Sequence, residues 1–473
     1  MAGSEFPHGF LDALRTLLGA AHVVTGDALA AMDPGWDPAN LGASALARPG
    51  GTQEVGALVR LCAEHGVPIV SQGGLTGLVG GAISRPGELI LSTARLNRIE
   101  RLDPVERTVV AGAGVTLQAV QEAAAEHGLD VGIDLPSRGT ATLGGMASTN
   151  AGGVMAFRNG VMRHRILGLE AVLPDGTVMG DLTRVVKTSA GYDLKHLLIG
   201  AEGTLGAITR LALKLDPVPP ARASALLSLP GVEAVLDTIN LAIAMPGVDL
   251  RAAEAMWRPF LRLTAKGLGW SDPAIDMDAP IFLLLTIGGA EDEALQASLE
   301  TLFEAVAERH ADVGGLVASS RRQEAEIWRL REDTDLVYRA YPKAPSFDIS
   351  LPQSEIPAYL DGLAADLAAI DPTFEPLIFG HLADGNLHII LDRPGPLDSA
   401  LAARVEAAIY RDMALRGGSF SAEHGVGSKR IGPLEATADP GKLALMRQIK
   451  AALDPHDLFN PGKLFAAPRE RDG

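Results

Sequence analysis

Apolar and polar positions alternate in two rhythms along this chain, and the rhythm changes near residue 220. From about residue 45 to 215, short apolar runs alternate with alanine-rich stretches of helical spacing, and glycines cluster between them. Val67–Ser71, Glu88–Ser92 and Arg107–Val110 are predicted strands. Leu117–His127 is a predicted helix that stops at Gly128, a glycine suited to the left-handed turn after a helix. Leu169–Leu173 and Thr177–Met179 flank Pro174-Asp175-Gly176, which predicts a hairpin over a type I-like turn. Leu215-Asp216-Pro217-Val218-Pro219-Pro220 cannot continue a helix or a central strand, so a domain boundary is placed there. From 221 to 415, long helices (Glu291–His310, Glu355–Ile370) alternate with short apolar strands (Ile281–Ile287, Phe374–Phe379). That pattern predicts an antiparallel sheet with helices on one face. A third zone, 416–473, returns to glycine loops and ends in Leu458-Phe459-Asn460-Pro461-Gly462.

Length and charge narrow the picture. A chain of 473 residues suggests about three units at roughly 150 residues each. Lys plus Arg is 41 and Asp plus Glu is 58, a formal net charge of −17, which argues against a nucleic-acid groove. Hydrophobic residues make up 47% of the chain, against the composition of disorder. The one cysteine, Cys62, excludes a disulfide framework, a cysteine zinc site and an iron–sulfur cluster within one chain. No apolar run reaches the roughly 18–20 residues that span a bilayer. The start has no basic or long apolar leader region. Gly3-Ser4-Glu5-Phe6 reads as a cloning scar, so residues 1–6 are set apart from the fold. A cytoplasmic location is expected if the source is bacterial.

The chain has 53 glycines, and the densest cluster follows an apolar run: Gln72-Gly73-Gly74-Leu75-Thr76-Gly77-Leu78-Val79-Gly80-Gly81. Glycines let successive N–H groups converge on an anion such as a pyrophosphate and let a ligand approach the backbone. The cluster lacks the Gly-Lys-Ser/Thr of a Walker loop, and its spacing is not the Rossmann fingerprint. A second cluster runs from Leu135 to Gly153 and a third from Gly191 to Gly206. Singly each reads as a tight turn. Together they fit one large ligand approached closely along its length.

Two further segments carry candidate chemistry. In Phe379-Gly380-His381-Leu382-Ala383-Asp384-Gly385-Asn386-Leu387-His388-Ile389, Asp384-Gly385 predicts a two-residue hairpin turn. In that register His381 faces His388, and two opposed imidazoles can chelate one divalent metal. The alternative is two surface histidines that merely pair across strands. Ser421-Ala422-Glu423-His424-Gly425-Val426-Gly427 sets a carboxylate beside an imidazole in a glycine-flanked loop, either a site or a solvated turn.

The three glycine clusters, in their order and spacing, resemble those of flavin enzymes of the vanillyl-alcohol oxidase type. Within that superfamily the chain resembles the D-2-hydroxyacid dehydrogenase branch, which includes D-2-hydroxyglutarate, D-lactate and glycolate dehydrogenases. The resemblance covers about residues 45–465, and Gln72–Ala82, Leu91–Asn97 and Gly144–Gly153 look most like D-2-hydroxyglutarate dehydrogenases. It implies an α+β fold: an FAD-binding domain of two α/β subdomains (7–218), a substrate or cap domain with an antiparallel sheet (219–415), and a C-terminal segment returning to the FAD domain (416–473). It implies FAD contacts from Gln72, Gly73, Gly74, Leu75, Thr76 and Gly77. Further contacts are implied from Pro136, Gly139, Thr142, Gly144, Gly145, Ser148, Thr149 and Asn150, and from Glu202, Gly203, Gly206, Ile208 and Asn460. No histidine sits in the first loop, so the FAD is expected to be noncovalent.

The resemblance also implies that His381, His388 and Glu423 hold one divalent metal, Zn²⁺ or Mn²⁺, and that His424 is the base. Arg331 matches the branch's substrate-carboxylate arginine; the alternative is a helix-surface arginine paired with Glu332 or Asp335. The implied reaction oxidises a D-2-hydroxy acid to the 2-oxo acid by hydride transfer to flavin N5. Hydroxyglutarate enzymes carry a Thr, a Lys and an Asn in the pocket, where this chain has Asp335 (with Thr334 adjacent), Ser346 and Ile390. Loss of the cation and gain of a carboxylate and an aliphatic disfavour a second substrate carboxylate. The pocket therefore points to a less polar substrate such as D-lactate, and the overall resemblance to D-2-hydroxyglutarate. A more distant alternative is a metallohydrolase using His381, His388 and Glu423, which leaves the glycine clusters idle. The electron acceptor (a flavoprotein, quinone or cytochrome) is not readable, and a homodimer is one expectation. No nucleic-acid partner and no membrane span are expected.

Overall fold

The computed structural model describes residues 6–466. Residues 1–5 of the expected cloning scar lie outside that range, whereas Phe6 packs against Phe10 with ring centroids 4.9 Å apart. The chain divides into two compact units. Among the described residues no helix is long and apolar enough to cross a membrane.

The first unit comprises the chain up to Gly153, Asn159–Val218 and Glu423 onward. It contains two main sheets, each with its own core, and a two-stranded one that pairs Leu129–Asp130 with Asp216–Pro217. In the four-stranded sheet the order is Val23–Thr25, Ala45–Ala47, Leu89–Ser92, Ile69–Gln72, the last three parallel. Its core includes Phe10, Leu58, Val59, Cys62 and Phe459. Burial of these side chains from two distant stretches ties the C-terminal segment to this sheet, at about 25 cal/mol per Å² of apolar surface removed from water. The five-stranded sheet is antiparallel, in the order Ile99–Asp103, Thr108–Gly112, Ala207–Lys214, Ile166–Val172, Val178–Asp181. The predicted helix appears as Leu117–Ala125, capped by the Thr116 hydroxyl, with Gly128 at φ +66°. The Pro174-Asp175-Gly176 turn closes its hairpin with Gly176 at φ +79°. The Asp175 carboxylate accepts the Thr177 amide at 2.8 Å.

The second unit comprises Val154–Arg158 and Pro219–Ala422. The chain enters its main part at the proline-rich break and leaves it at Ala422 rather than at 415. Residues 419–422 stay with this unit because Ser419 bridges Ser350 and the Ala422 amide bonds to the Asp348 carbonyl. The unit is built on one seven-stranded antiparallel sheet. Its strand order is Gly314–Val317, Ala221–Leu229, Ile281–Gly289, Asp249–Trp257, Leu377–His381, Asn386–Ile390, Ser346–Ser350.

Helices cover both faces of that sheet, not one as the sequence pattern led us to expect. The central strand Ile281–Gly289 is a continuous apolar run, so both sets of alternating side chains need cover. Leu283 and Leu285 pack with the helices Val232–Ala244, Asp292–Arg309 and Ile356–Ile370. Phe282 and Leu284 pack on the opposite face with Arg258–Leu268, Arg321–Glu332 and Asp335–Ala340. It is this second face that carries the polar ridge described next.

Candidate functional site

The histidine hairpin differs from the expected two-residue turn. Leu382–Gly385 form the connection, and Phe379 rather than His381 stands opposite His388. The register has slipped by two residues, so His381 and His388 still project from the same face, as diagonal neighbours. Their ring centroids are 5.4 Å apart and nearly perpendicular. Within this turn position 385 requires glycine: φ is +78°, and a Cβ there would lie 1.9 Å from the Leu351 carbonyl oxygen.

Each histidine is backed by a fully buried carboxylate. Glu254 lies directly across the ladder from His381, and its Oε1 is 2.6 Å from His381 Nδ1. Asp348 lies across from His388, with Oδ1 3.6 Å from His388 Nδ1 and 2.8 Å from the Asn386 amide nitrogen that donates to it. The 2.6 Å contact orients the His381 ring and makes Nε2 the nitrogen suited to a metal, the usual support of a ligating histidine, whereas Asp348 at 3.6 Å offers His388 a nearby charge rather than a hydrogen bond. Two imidazoles so held have the donor chemistry of a Zn²⁺ or Mn²⁺ site.

Arg331 ends the helix Arg321–Glu332 and is buried on the same face. It pairs with neither Glu332 nor Asp335: its Nε lies 2.8 Å from Glu254 Oε2, and its guanidinium stacks over the Phe379 ring at 4.5 Å. The N–H is off the line to the oxygen, so this contact is an ion pair rather than a formed hydrogen bond. Burial pushes the Glu254 carboxyl up, but His381 and Arg331 outweigh it and hold it below the ordinary carboxylate range. Ile390 follows His388 by two residues on the same strand and pairs with Ser346. Ser346 also bonds the Tyr338 hydroxyl, whose pKa is raised by burial despite that bond. Asp335 is exposed in the first turn of its short helix and is not drawn into the buried ridge.

In the first unit the glycine loop 73–81 is clamped from several sides. Gln72 donates to the carbonyls of Asn40 (2.6 Å) and Ala82 (2.8 Å). Asn460, at φ +50°, donates to the carbonyls of Gly81 (3.0 Å) and Glu202 (2.7 Å). Glu202 is buried and accepts the amides of Val426 (2.8 Å) and Gly427 (2.7 Å). Burial pushes its carboxyl above the ordinary range, against the pull of those two N–H groups. Gly427, at φ +54°, could not carry a Cβ, which would fall 2.1 Å from the Val79 oxygen.

Some of the glycines serve chain packing rather than ligand approach. A Cβ on Gly74 would sit 1.9 Å from the Thr140 carbonyl oxygen, and one on Gly73 2.2 Å from Thr142 Oγ1. A Cβ on Gly206 would meet the Val172 oxygen at 2.6 Å. Gly77, by contrast, faces open space. Leu75 is held at φ +56°. Pro136 and Gly139 form an exposed turn that leads to Thr142, the N-cap of the helix Leu143–Thr149. Within that helix Ser148 donates to the Gly144 carbonyl and Thr149 to that of Gly145, and Asn150 ends it at φ +54°. Ile208 is buried in the five-stranded sheet's core. Gly203 lies within 3.6 Å (measured from an ideal Cβ) of both Asn460 and Ser71. Ser71 Oγ and Asn460 Oδ1 are buried with no hydrogen-bond partner among the described residues. Two orphaned acceptors beside a glycine loop fit a polar group bound there.

Glu423 and His424 begin the return segment of this unit. Glu423 Oε1 accepts the Gly153 amide at 2.8 Å, so the end of the second glycine cluster holds this carboxylate. Gly425, at φ +82°, passes Glu202 so closely that a Cβ would sit 2.7 Å from its Oε1. Sequence reasoning missed Glu254 and Asp348. Their signal was present, since Asp348 is the one acid of its strand and Glu254 stands between Ala253 and Ala255, where an unpaired buried charge is costly.

Residues 218–464 match the family described as FAD linked oxidases, C-terminal domain, and residues 43–180 match the FAD binding domain. The chain is 37% identical over 445 residues to a D-2-hydroxyglutarate dehydrogenase of Xanthomonas citri pv. viticola, covering 91% of this chain and 90% of the relative. It is 37% identical over 422 residues to the mitochondrial D-2-hydroxyglutarate dehydrogenase of Bos taurus, covering 89% and 76%. Among solved structures, p-cresol methylhydroxylase with substrate bound shares the fold at a TM-score of 0.75, 17% identity and 98% coverage of both chains. The 4-ethylphenol oxidase of Gulosibacter chungangensis does so at 0.72 and 18%, over 99% of both chains. With both of its domains matched and these relatives covered over 90% and 76% of their length, the chain belongs to the FAD-linked oxidase family.

Proposed function

We propose that the chain oxidises a D-2-hydroxy acid to the 2-oxo acid, using noncovalent FAD and one divalent metal, Zn²⁺ or Mn²⁺. The observation that carries this reading is the buried ridge of the second unit: two histidines, each with a carboxylate behind Nδ1, beside a buried arginine. Glu423 would complete the ligand set; the backbone immediately before it is pinned to Asp348, the ladder partner of His388. FAD, when bound, supplies the acceptor for the two electrons that leave with the substrate's Cα hydrogen, and a divalent cation supplies Lewis acidity toward the hydroxyl.

The chain's own residues do the rest. Arg331 binds the substrate carboxylate through its remaining guanidinium N–H groups while Glu254 and Phe379 fix its plane. His424 takes the hydroxyl proton on an imidazole nitrogen. Gln72, Asn460 and Glu202 hold the glycine loop in shape, and Leu75–Gly77, Thr142–Asn150 and Gly203 would line the flavin.

Ser346 and Ile390 support a substrate whose distal group is small and apolar, D-lactate among them, because neither side chain can neutralise a second carboxylate. The second reading, D-2-hydroxyglutarate, is favoured by the 37% identity to relatives of that name. Anaerobic mixing with a panel of D-2-hydroxy acids separates them: the true substrate class bleaches the flavin fastest. Ile390→Asn combined with Ser346→Lys is expected to raise kcat/KM for D-2-hydroxyglutarate relative to D-lactate. No bleaching by any member of the panel would refute the dehydrogenase reading, and no shift in the ratio would refute the pocket assignment.

A further inference from the structure

The ridge contains one residue whose two oxygens serve two different tasks. Glu254 is wholly buried on its strand; Oε1 meets His381 Nδ1 at 2.6 Å and Oε2 meets Arg331 Nε at 2.8 Å. His381 and Arg331 come from distant parts of the chain, a hairpin strand and a helix end. A single carboxylate therefore orients the histidine that would ligate a metal and the arginine that would hold the substrate carboxylate. Asp348, behind His388, accepts the Asn386 side-chain amide at 2.8 Å.

We infer that Glu254 is a positioning residue that sets the tautomer of His381 while countering the Arg331 cation, so that a neutral side chain at 254 can serve only one of the two. The inference rests on the metal reading proposed above. A carboxylate has only acceptors, so it can draw His381 Nδ1–H and the Arg331 cation at the same time. The proton on Nδ1 leaves the Nε2 lone pair for a metal. A glutamine at 254 has one oxygen and one NH₂. The buried guanidinium takes the oxygen, since facing it with an NH₂ would set donor against donor. The NH₂ then points at His381 Nδ1 and favours the opposite tautomer, in which Nε2 carries the proton and cannot bind a metal. Removing Arg331 as well frees the glutamine oxygen to turn back to His381.

The test uses the full chain with its flavin, stripped of metal by a chelator. Zn²⁺ and Mn²⁺ affinity is measured by competition with a chromogenic chelator, and the His381 tautomer by nitrogen NMR of ¹⁵N-histidine-labelled protein. Glu254→Gln is expected to weaken metal binding by about 10–100-fold and to move the His381 proton from Nδ1 to Nε2. Glu254→Gln/Arg331→Met is expected to return both the affinity and the Nδ1–H form. A purely structural role for Glu254 would give no such return. If Glu254→Gln alone does not fold, the comparison is Glu254→Gln/Arg331→Met against Glu254→Leu/Arg331→Met; only the Leu form should lose affinity.

Wild-type affinity and tautomer in a folded Glu254→Gln, or equally weak binding in the Gln and Leu double variants, would overturn the inference. If the wild type binds neither ion and His388→Ala changes nothing, the metal reading fails. The tautomer measurement needs no metal and still decides the role of Glu254.

Discussion

Replacing Glu202 by glutamine tests whether the return segment is held by charge-assisted hydrogen bonds. The Glu202 oxygens accept two backbone amides, Val426 at 2.8 Å and Gly427 at 2.7 Å, in a buried setting. Glutamine can serve one of them. The other amide is left facing an NH₂, at a cost of about 1–3 kcal/mol for a buried donor without an acceptor. The surviving bond also loses its charge assistance, about 1 kcal/mol more. Against this, burial penalises the Glu202 charge by more than the two N–H groups favour it, as its raised carboxyl pKa reports, so a neutral side chain escapes part of that cost. The net expectation is a loss of about 1–3 kcal/mol, which for a unit of this size lowers Tm by roughly 2–12 °C. The assay is thermal unfolding followed by flavin fluorescence. The pH dependence has a defined sign. A carboxyl whose pKa is raised on folding contributes stability that is full below its unfolded value and is lost as pH rises through the folded value. The margin of wild type over Glu202→Gln should therefore be larger at pH 5 than at pH 8. A Tm unchanged within about 1 °C, or a margin that grows with pH, would refute the reasoning.

Two further outcomes follow, one from the proposed function and one from an ion pair of the first unit. His424→Ala is expected to keep its flavin and metal but to slow flavin reduction by a D-2-hydroxy acid by about 10²–10⁴-fold in stopped-flow measurements; an unchanged rate removes His424 from the proton-transfer role. Asp216 lies 2.6 Å from buried Arg165 and 3.0 Å from Lys214; burial raises its carboxyl, but the two cations lower it further, below the ordinary value. Its contribution is thus present above about pH 4 and is lost as pH falls through the folded value. Asp216→Asn should lower Tm at pH 6, with the gap to wild type narrowing as the solution is acidified below about pH 4, and a gap that does not narrow on acidification would contradict this.

What was legible in the sequence was whatever depends on neighbours along the chain. The period-two and period-3.6 patterns located strands such as Ile281–Gly289 and helices such as Asp292–Arg309 to within a few residues. The proline run marked the entry to the second unit at Pro219. The histidine pair survived an error in the predicted turn for a geometric reason. Register in a hairpin is set by turn length, and a slip of two residues moves His381 from opposite His388 to its diagonal without changing its face. A slip of one would have sent it to the apolar side among Leu387 and Ile389.

The illegible part was non-local pairing. Nothing near His381 announces Glu254, which is 127 residues away and becomes its neighbour only because Asp249–Trp257 inserts beside Leu377–His381 in the sheet. The same holds for the glycines. Composition shows an excess of them, but only the fold separates Gly74, demanded by the Thr140 carbonyl, from Gly77, which faces open space. Arg331 shows why this matters for function. On the sequence its natural partners are Glu332 and Asp335, and such surface pairs contribute little. In the fold it is buried against Glu254 and Phe379. A buried cation is tolerated only with a fixed counter-charge, and the side chain that supplies it also orients a histidine. The strand order that brings Glu254 beside His381 is therefore what turns an ordinary helix-end arginine into a candidate substrate anchor.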